Sequence, residues 1–86
     1  MIKPNYNNQL AAARRKRGLS RKQAAQLLGY KGTSELSRLE RGTRLPHLIT
    51  ALRLEIIYRT PVAFLFPDLY DSLRQVIRAG EERKQP

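Results

Sequence analysis

Several residue types that carry chemistry are absent or scarce in this chain of 86 residues. It has no cysteine, which excludes disulfides, thiolate zinc sites and cysteine nucleophiles. One histidine and seven acidic residues leave little for a metal site or an acid–base pair, so we expect no metal and no cofactor. The longest apolar run, Val62–Phe66, is far shorter than the roughly 20 residues that span a bilayer.

The length and the N-terminal residues favour a small cytoplasmic protein. A chain of this size forms one domain at about 100–200 residues per domain. Residues 1–8 lack the apolar segment of a signal peptide. We therefore expect a single soluble domain that has no membrane segment.

Positive charge is abundant and unevenly placed. The formal net charge is +10, and residues 1–60 carry all of this excess because residues 61–86 are neutral in sum. Ten cations lie between residues 14 and 44, where the acids are Glu35 and Glu40. Such a concentrated field attracts a polyanion, although a merely soluble basic protein is the alternative. A membrane surface fits less well, since the basic run 14–17 adjoins only three alanines and Leu10.

Glycine, proline and capping residues divide the chain into six predicted helices. Asn7 is placed to cap helix 1, which Gly18 ends, and Ser20 with Gln23 forms a capping box for helix 2. Helix 2 ends at Gly29, helix 3 is capped by Gly32 or Thr33 and ends at Gly42, and helix 4 follows the loop 43–46. No stretch alternates with period two, so the expected fold class is all-α.

The last two helices follow from proline positions. Thr60 and Pro61 predict the start of a short helix 5 over 61–66, which Pro67 terminates. Asp68 then begins helix 6, which Gly80 ends, and residues 81–86 form a frayed tail.

Apolar spacing predicts which side of each helix faces the core. The expected inward positions lie three and four residues apart. They are Leu10, Ala13, Arg14 and Arg17 in helix 1; Ala24, Ala25, Leu27 and Leu28 in helix 2; Leu36, Leu39 and Glu40 in helix 3; Ile49, Leu52, Ile56 and Ile57 in helix 4; and Leu69, Leu73, Val76 and Ile77 in helix 6.

Two features of this pattern are electrostatic. Arg14 and Glu40 both fall on inward stripes, and a lone buried charge is costly, so we expect them to pair across helices 1 and 3. The alternative is that both reach water from the edges of their stripes. Arg21 and Lys22 occupy the first turn of helix 2, where the helix dipole favours an anion; beside free backbone N–H groups they would welcome a phosphate.

The segment from Gly18 to Gly29, followed by Leu36–Gly42 and Leu45-Pro46, resembles the Xre-like family of phage-repressor-type helix-turn-helix domains. The resemblance covers about residues 7–66, with the helix-turn-helix at 20–41. The turn is one residue longer than usual and contains Lys31 and Gly32. Arg21 stands where the family often has Gln, and His47 where it has Ser or Thr.

The resemblance implies that helix 3, about residues 33–41, enters the major groove of double-stranded DNA. Arg38 is then suited to a guanine and Glu35 to a cytosine N4 group. The implied base contacts are Thr33, Ser34, Glu35, Ser37 and Arg38. The implied phosphate contacts are Ser20, Arg21, Lys22, Lys31, Arg41 and Arg44. An ion pair between Arg14 and Glu40 is implied as well.

The predicted organisation is a DNA-binding domain over 1–66, an amphipathic helix over 67–80 and a tail over 81–86. Leu69, Leu73, Val76 and Ile77 either extend the core or pair with a second copy. The sequence thus predicts a sequence-specific transcriptional regulator, a repressor acting as a homodimer. An antitoxin-type or adaptor protein that mainly binds another protein is the alternative. An enzyme is not expected, because the serines lack a general base other than His47.

Overall fold

The computed structural model describes residues 6–83, which form six α-helices and no strand. This confirms the all-α fold class. In chain order the helices are α1 (Leu10–Lys16), α2 (Arg21–Leu27), α3 (Ser34–Arg41), α4 (Leu48–Tyr58), α5 (Val62–Leu65) and α6 (Pro67–Arg83). The predicted domain start at residue 1 and the end of the predicted tail, 84–86, lie outside the described residues.

The helix-turn-helix is fixed by local capping chemistry. The Ser20 hydroxyl accepts a hydrogen bond from the backbone N–H of Gln23 at 3.1 Å, and the Gln23 side chain accepts one from the backbone N–H of Ser20 at 2.8 Å. This is the expected capping box. Gly29, with φ +88°, reverses the chain after α2 in a conformation that favours glycine. Thr33 precedes α3, without a side-chain capping bond.

Four predicted helix ends differ from the structure. Gln9, and not Asn7, precedes α1, because the Asn8 side chain accepts the backbone N–H of Leu10 at 3.0 Å. Pro61 takes the capping place of α5 that was expected for Thr60. Pro67 does end α5, but it also opens α6 in place of Asp68, since a first-turn residue needs no N–H partner. The sixth helix continues through Gly80 to Arg83, because an interior glycine costs only about 1 kcal/mol.

The core lies where α1 to α5 meet. Its apolar members are almost fully buried, and Ala24 and Ala25 let α2 approach its neighbours closely. The buried apolar residues are Leu10, Ala24, Ala25, Leu28, Leu36, Leu39, Leu54, Tyr58, Leu65 and Phe66. Arg14 and Thr50 are the polar residues of the described chain that are buried as whole residues, and the Glu40 side chain is buried as well.

The predicted inward face of α4 is wrong for three of its four residues, and only Ile57 of that set packs against the core. Ile49 and Ile56 are 62% and 73% exposed, and Leu52 is also exposed. The side that packs on the core carries Thr50, Leu54 and Tyr58, spaced by four residues. Nearly every position of this helix is apolar, so periodicity could not show which side is buried.

Two other inward predictions are also wrong. Arg17 is exposed, and its Nε donates to the backbone carbonyl of Ile57 at 3.3 Å, so it lies across the end of α4. Leu27 is 59% exposed, and the neighbouring Leu28 is the residue that packs in the core.

The sixth helix projects from the core. Leu69 is half-buried and packs against the core cluster, whereas Leu73, Val76 and Ile77 are more than half exposed. Packing on the protein's own core therefore does not cover the outer part of this stripe. Within residues 6–83, no helix combines the length and the apolar character needed to cross a membrane.

Candidate nucleic-acid interface

A buried ion pair ties α1 to α3. Arg14 Nε donates to Glu40 Oε2 at 2.7 Å, and the two side chains are 8% and 6% exposed. Arg14 Nη1 also donates to the Leu19 carbonyl at 3.0 Å, so the guanidinium is hydrogen-bonded both to Glu40 and to the backbone. The hydrogen bond to Glu40 raises the pKa of Arg14, outweighing the opposite effect of burial. The two charges on inward stripes thus lie in contact with each other.

Glu40 also reaches the start of α2. Its Oε1 lies 3.4 Å from Arg21 Nε, and the Arg21 side chain is half exposed. A single buried carboxylate therefore connects the scaffold residue Arg14 to one of the cations expected to hold phosphate. This contact links Arg21 to α3, while about half of the Arg21 side chain remains exposed.

A shallow cleft opens around Glu40 between α1, α2 and α3. Three arginines line it, together with the half-buried Ser37. They are Arg15, Arg21 and Arg41. The sequence did not predict Arg15 as a DNA contact. The signal that could have found it is its place in the basic run 14–17, next to the inward Arg14. The cleft is suited to an anionic group that approaches α3 from outside.

The first turn of α3 carries a second charge cluster. Glu35 Oε1 accepts from Arg38 Nη1 at 2.6 Å, and Glu35 Oε2 accepts from Arg44 Nη1 at 2.9 Å. All three side chains are solvent-accessible, with Arg38 and Arg44 at least half exposed. One expected base reader, one expected phosphate contact and the acid between them thus form a connected group.

The remaining predicted contacts are exposed around the same surface. Four of them are exposed: Lys22 in the first turn of α2, Lys31 in the turn between α2 and α3, and Thr33 and Ser34 at the start of α3. The Ser20 hydroxyl oxygen is engaged in the capping box. His47 precedes α4 without a side-chain capping bond and lines a cavity of about 250 Å³ beside Glu35 and Arg44.

Tyr58 is the one core residue with an unpaired polar atom among residues 6–83. Its hydroxyl is buried and has no hydrogen-bond partner there. Burial, together with the nearby Glu40 carboxylate, raises the pKa of Tyr58 to about 12. The hydroxyl therefore adds no bond to the Arg14–Glu40 pair.

Comparison with known families agrees with this geometry. A family model described as helix-turn-helix matches residues 10–65, which span α1 to α5. The fold and its basic surface define the class of helix-turn-helix DNA-binding proteins. More narrowly, the chain belongs to the Xre, or lambda-repressor-like, helix-turn-helix family. No curated protein matches the sequence.

Membership of this family makes the protein a DNA-binding transcription regulator of the Xre type. Its partner is double-stranded DNA. The family is a group of regulatory DNA-binding domains and not a family of enzymes.

Proposed function

We propose that the protein is a sequence-specific repressor that inserts α3 into the major groove. The observation that carries this proposal is a set of exposed arginines on and beside α3. Arg15, Arg21 and Arg41 line the cleft around Glu40, and Arg38 and Arg44 pair with Glu35. A groove-binding helix needs cations on both sides to hold the flanking phosphates, and this arrangement supplies them.

Within this proposal the residues divide into base readers and phosphate holders. Arg38, on the outer side of α3, would make the bidentate contact to guanine, with Thr33, Ser34 and Ser37 beside it. The holders would be Ser20, Arg21, Lys22, Lys31, Arg41 and Arg44, to which the cleft adds Arg15.

We further propose that residues up to 66 form the DNA-binding unit and that α6 pairs two copies. Leu73, Val76 and Ile77 are exposed on one side of a helix of 17 residues. A cavity of about 300 Å³ between α5 and α6, lined by Val62, Phe66 and Leu73 among others, adds a recess beside this stripe. A two-fold dimer would cover the stripe and match a palindromic operator.

The decisive experiment begins with selection of preferred sites from a random duplex pool, followed by affinity measurements at several salt concentrations. If about six phosphates are neutralised, log K should fall against log salt with a slope of about −5. A slope near zero would contradict nucleic-acid binding altogether.

Two substitutions then separate the proposed roles. Arg38→Ala should cost about 1–3 kcal/mol on the preferred site and relax the preference at one base pair per half-site. Arg21→Ala is the matched control, because it should weaken binding to all duplexes alike and reduce the slope by about one. Equal losses for Arg38→Ala on preferred and scrambled duplex would make that residue a phosphate holder.

The exposed stripe of α6 also supports a second candidate, an antitoxin-type or adaptor protein. In that case a different chain, and not a second copy, would cover Leu73 and Ile77. Purification from native cells distinguishes the two, since a heteromeric partner would co-purify in stoichiometric amount and would be lost from a Leu73→Arg variant.

A further inference from the structure

The carboxylate of Glu35 is shared by two arginines that belong to different segments. Arg38 lies one turn further along α3, and Arg44 lies in the loop that follows the helix. The two contacts, 2.6 Å to Arg38 and 2.9 Å to Arg44, use one carboxylate oxygen each. The acid therefore fixes the direction of one side chain on α3 and holds the loop against that helix.

The contact leaves part of Arg38 available. It uses only Nη1, and within residues 6–83 the Nε and Nη2 groups of Arg38 have no hydrogen-bond partner. These two N–H groups form one side of the guanidinium fork, and a guanine presents O6 and N7 to such a fork. Arg38 can thus keep its bond to Glu35 while it contacts a base.

We propose that Glu35 is a positioning residue that determines specificity: it aims Arg38 and Arg44, and it lowers affinity for non-preferred DNA. The proposal rests on the proposed function of α3 as the groove-binding helix. It differs from the expectation that Glu35 itself reads cytosine, because both oxygens of the carboxylate already bond to arginine.

Complexes with preferred and with non-preferred DNA depend on different contacts. Non-specific binding depends on phosphate contacts, so an anion between two exposed arginines weakens it by partial neutralisation and by repelling the phosphates. On the preferred site the same anion restricts Arg38 to the orientation that guanine needs, and this gain offsets the repulsion. Glu35 therefore widens the difference between the two affinities.

The test is Glu35→Gln, which removes the charge and keeps the size of the side chain. We expect affinity for scrambled duplex to rise about five- to tenfold and the salt slope to steepen by about one. Affinity for the preferred site should stay nearly unchanged, so the ratio of the two affinities should decrease about five- to tenfold. The melting temperature should stay unchanged, because exposed ion pairs contribute little to stability.

Asp71→Asn is the matched control. Asp71 accepts from Arg74 at 3.2 Å in an ion pair that has the same three-residue spacing but lies on α6. It changes the net charge by the same amount. If it alters the affinity ratio as much as Glu35→Gln does, the effect is one of overall charge and the proposal is wrong.

The double variant Arg38→Ala/Glu35→Gln separates positioning from direct reading. If Glu35 acts through Arg38, its effect on the preferred site should disappear in the Arg38→Ala background. A loss on the preferred site that persists there would assign base contact to Glu35 and overturn the proposal. Failure of the proposed function is distinct from this outcome, since the unsubstituted protein would then show neither salt dependence nor a preferred site.

Discussion

Removal of the Glu40 carboxylate should destabilise the fold severely. The side chain of Arg14 is 8% exposed, and in Glu40→Ala the Leu19 carbonyl would be its remaining partner. Breaking a buried ion pair from one side costs about 3–5 kcal/mol. A domain of this size has only about 4–13 kcal/mol of stability in total. At about 4–8 °C per kcal/mol, the melting temperature should fall by at least about 12 °C.

Thermal melts followed by circular dichroism test this, with two controls. Arg21→Ala breaks the exposed 3.4 Å contact to the same carboxylate and should cost less than about 1 kcal/mol. The double variant Arg14→Met/Glu40→Leu replaces both charges by apolar groups and should recover much of the loss. Small and additive effects of the single substitutions at Arg14 and Glu40 would show that both side chains are in effect solvated, and would contradict a buried ion pair.

Three further predictions concern the core and α6. Tyr58→Phe should raise the free energy of unfolding at neutral pH by about 1 kcal/mol, because it removes a buried unpaired hydroxyl. The pKa of Tyr58 is about 12 in the folded state and about 10 when unfolded, so the unfolded chain loses the phenolic proton first as the pH rises. The free energy of unfolding should therefore fall between pH 10 and pH 12, and denaturant titrations of Tyr58→Phe should show a smaller fall over that range. Leu54→Ala should cost about 2–5 kcal/mol and Ile56→Ala less than about 0.5 kcal/mol in urea unfolding. Leu73→Arg should reduce the sedimenting mass to that of one chain; an unchanged mass would contradict pairing through α6.

Much of the fold follows from local chemistry that the sequence displays. The Ser20 capping box, the left-handed turn at Gly29 and the end of α3 at Gly42 depend on residues close in the chain. The contact between Arg14 and Glu40 spans 26 positions, yet it too could be anticipated. Each residue was the unexplained charge on its helical stripe, and pairing is the least costly way to bury a charge.

The orientation of α4 could not be predicted, for a physical reason. Periodicity identifies an inward face only when the opposite face is polar. Here Leu48, Leu52 and Ile56 lie outside while Thr50 lies inside, so the apolar pattern carries no direction. Packing decides the orientation, because the buried side must fit the space left by α1, α3 and α5, and that fit is not visible in a single stretch of sequence.

The Glu35 cluster shows a different limit of sequence reasoning. The spacing of three residues between Glu35 and Arg38 on a helix was visible, but the contact with Arg44 depends on the path of the loop after Gly42. Position alone placed Glu35 among the base contacts, since it lies in the first turn of α3. A role through its neighbours becomes apparent only once both arginines are seen on the same carboxylate.

The two acids of the basic segment 14–44 each bridge two arginines, but their surroundings give them different roles. Glu40 is buried, so its charge cannot be left unpaired without a large loss of stability. Glu35 is partly exposed, and ion pairs in such places contribute little to stability but still restrict long side chains that otherwise move freely. Substitutions should therefore separate the two: changes at Glu40 should be detected mainly in unfolding, and changes at Glu35 mainly in discrimination between duplexes. A Glu35 variant that unfolds as readily as a Glu40 variant would contradict this division.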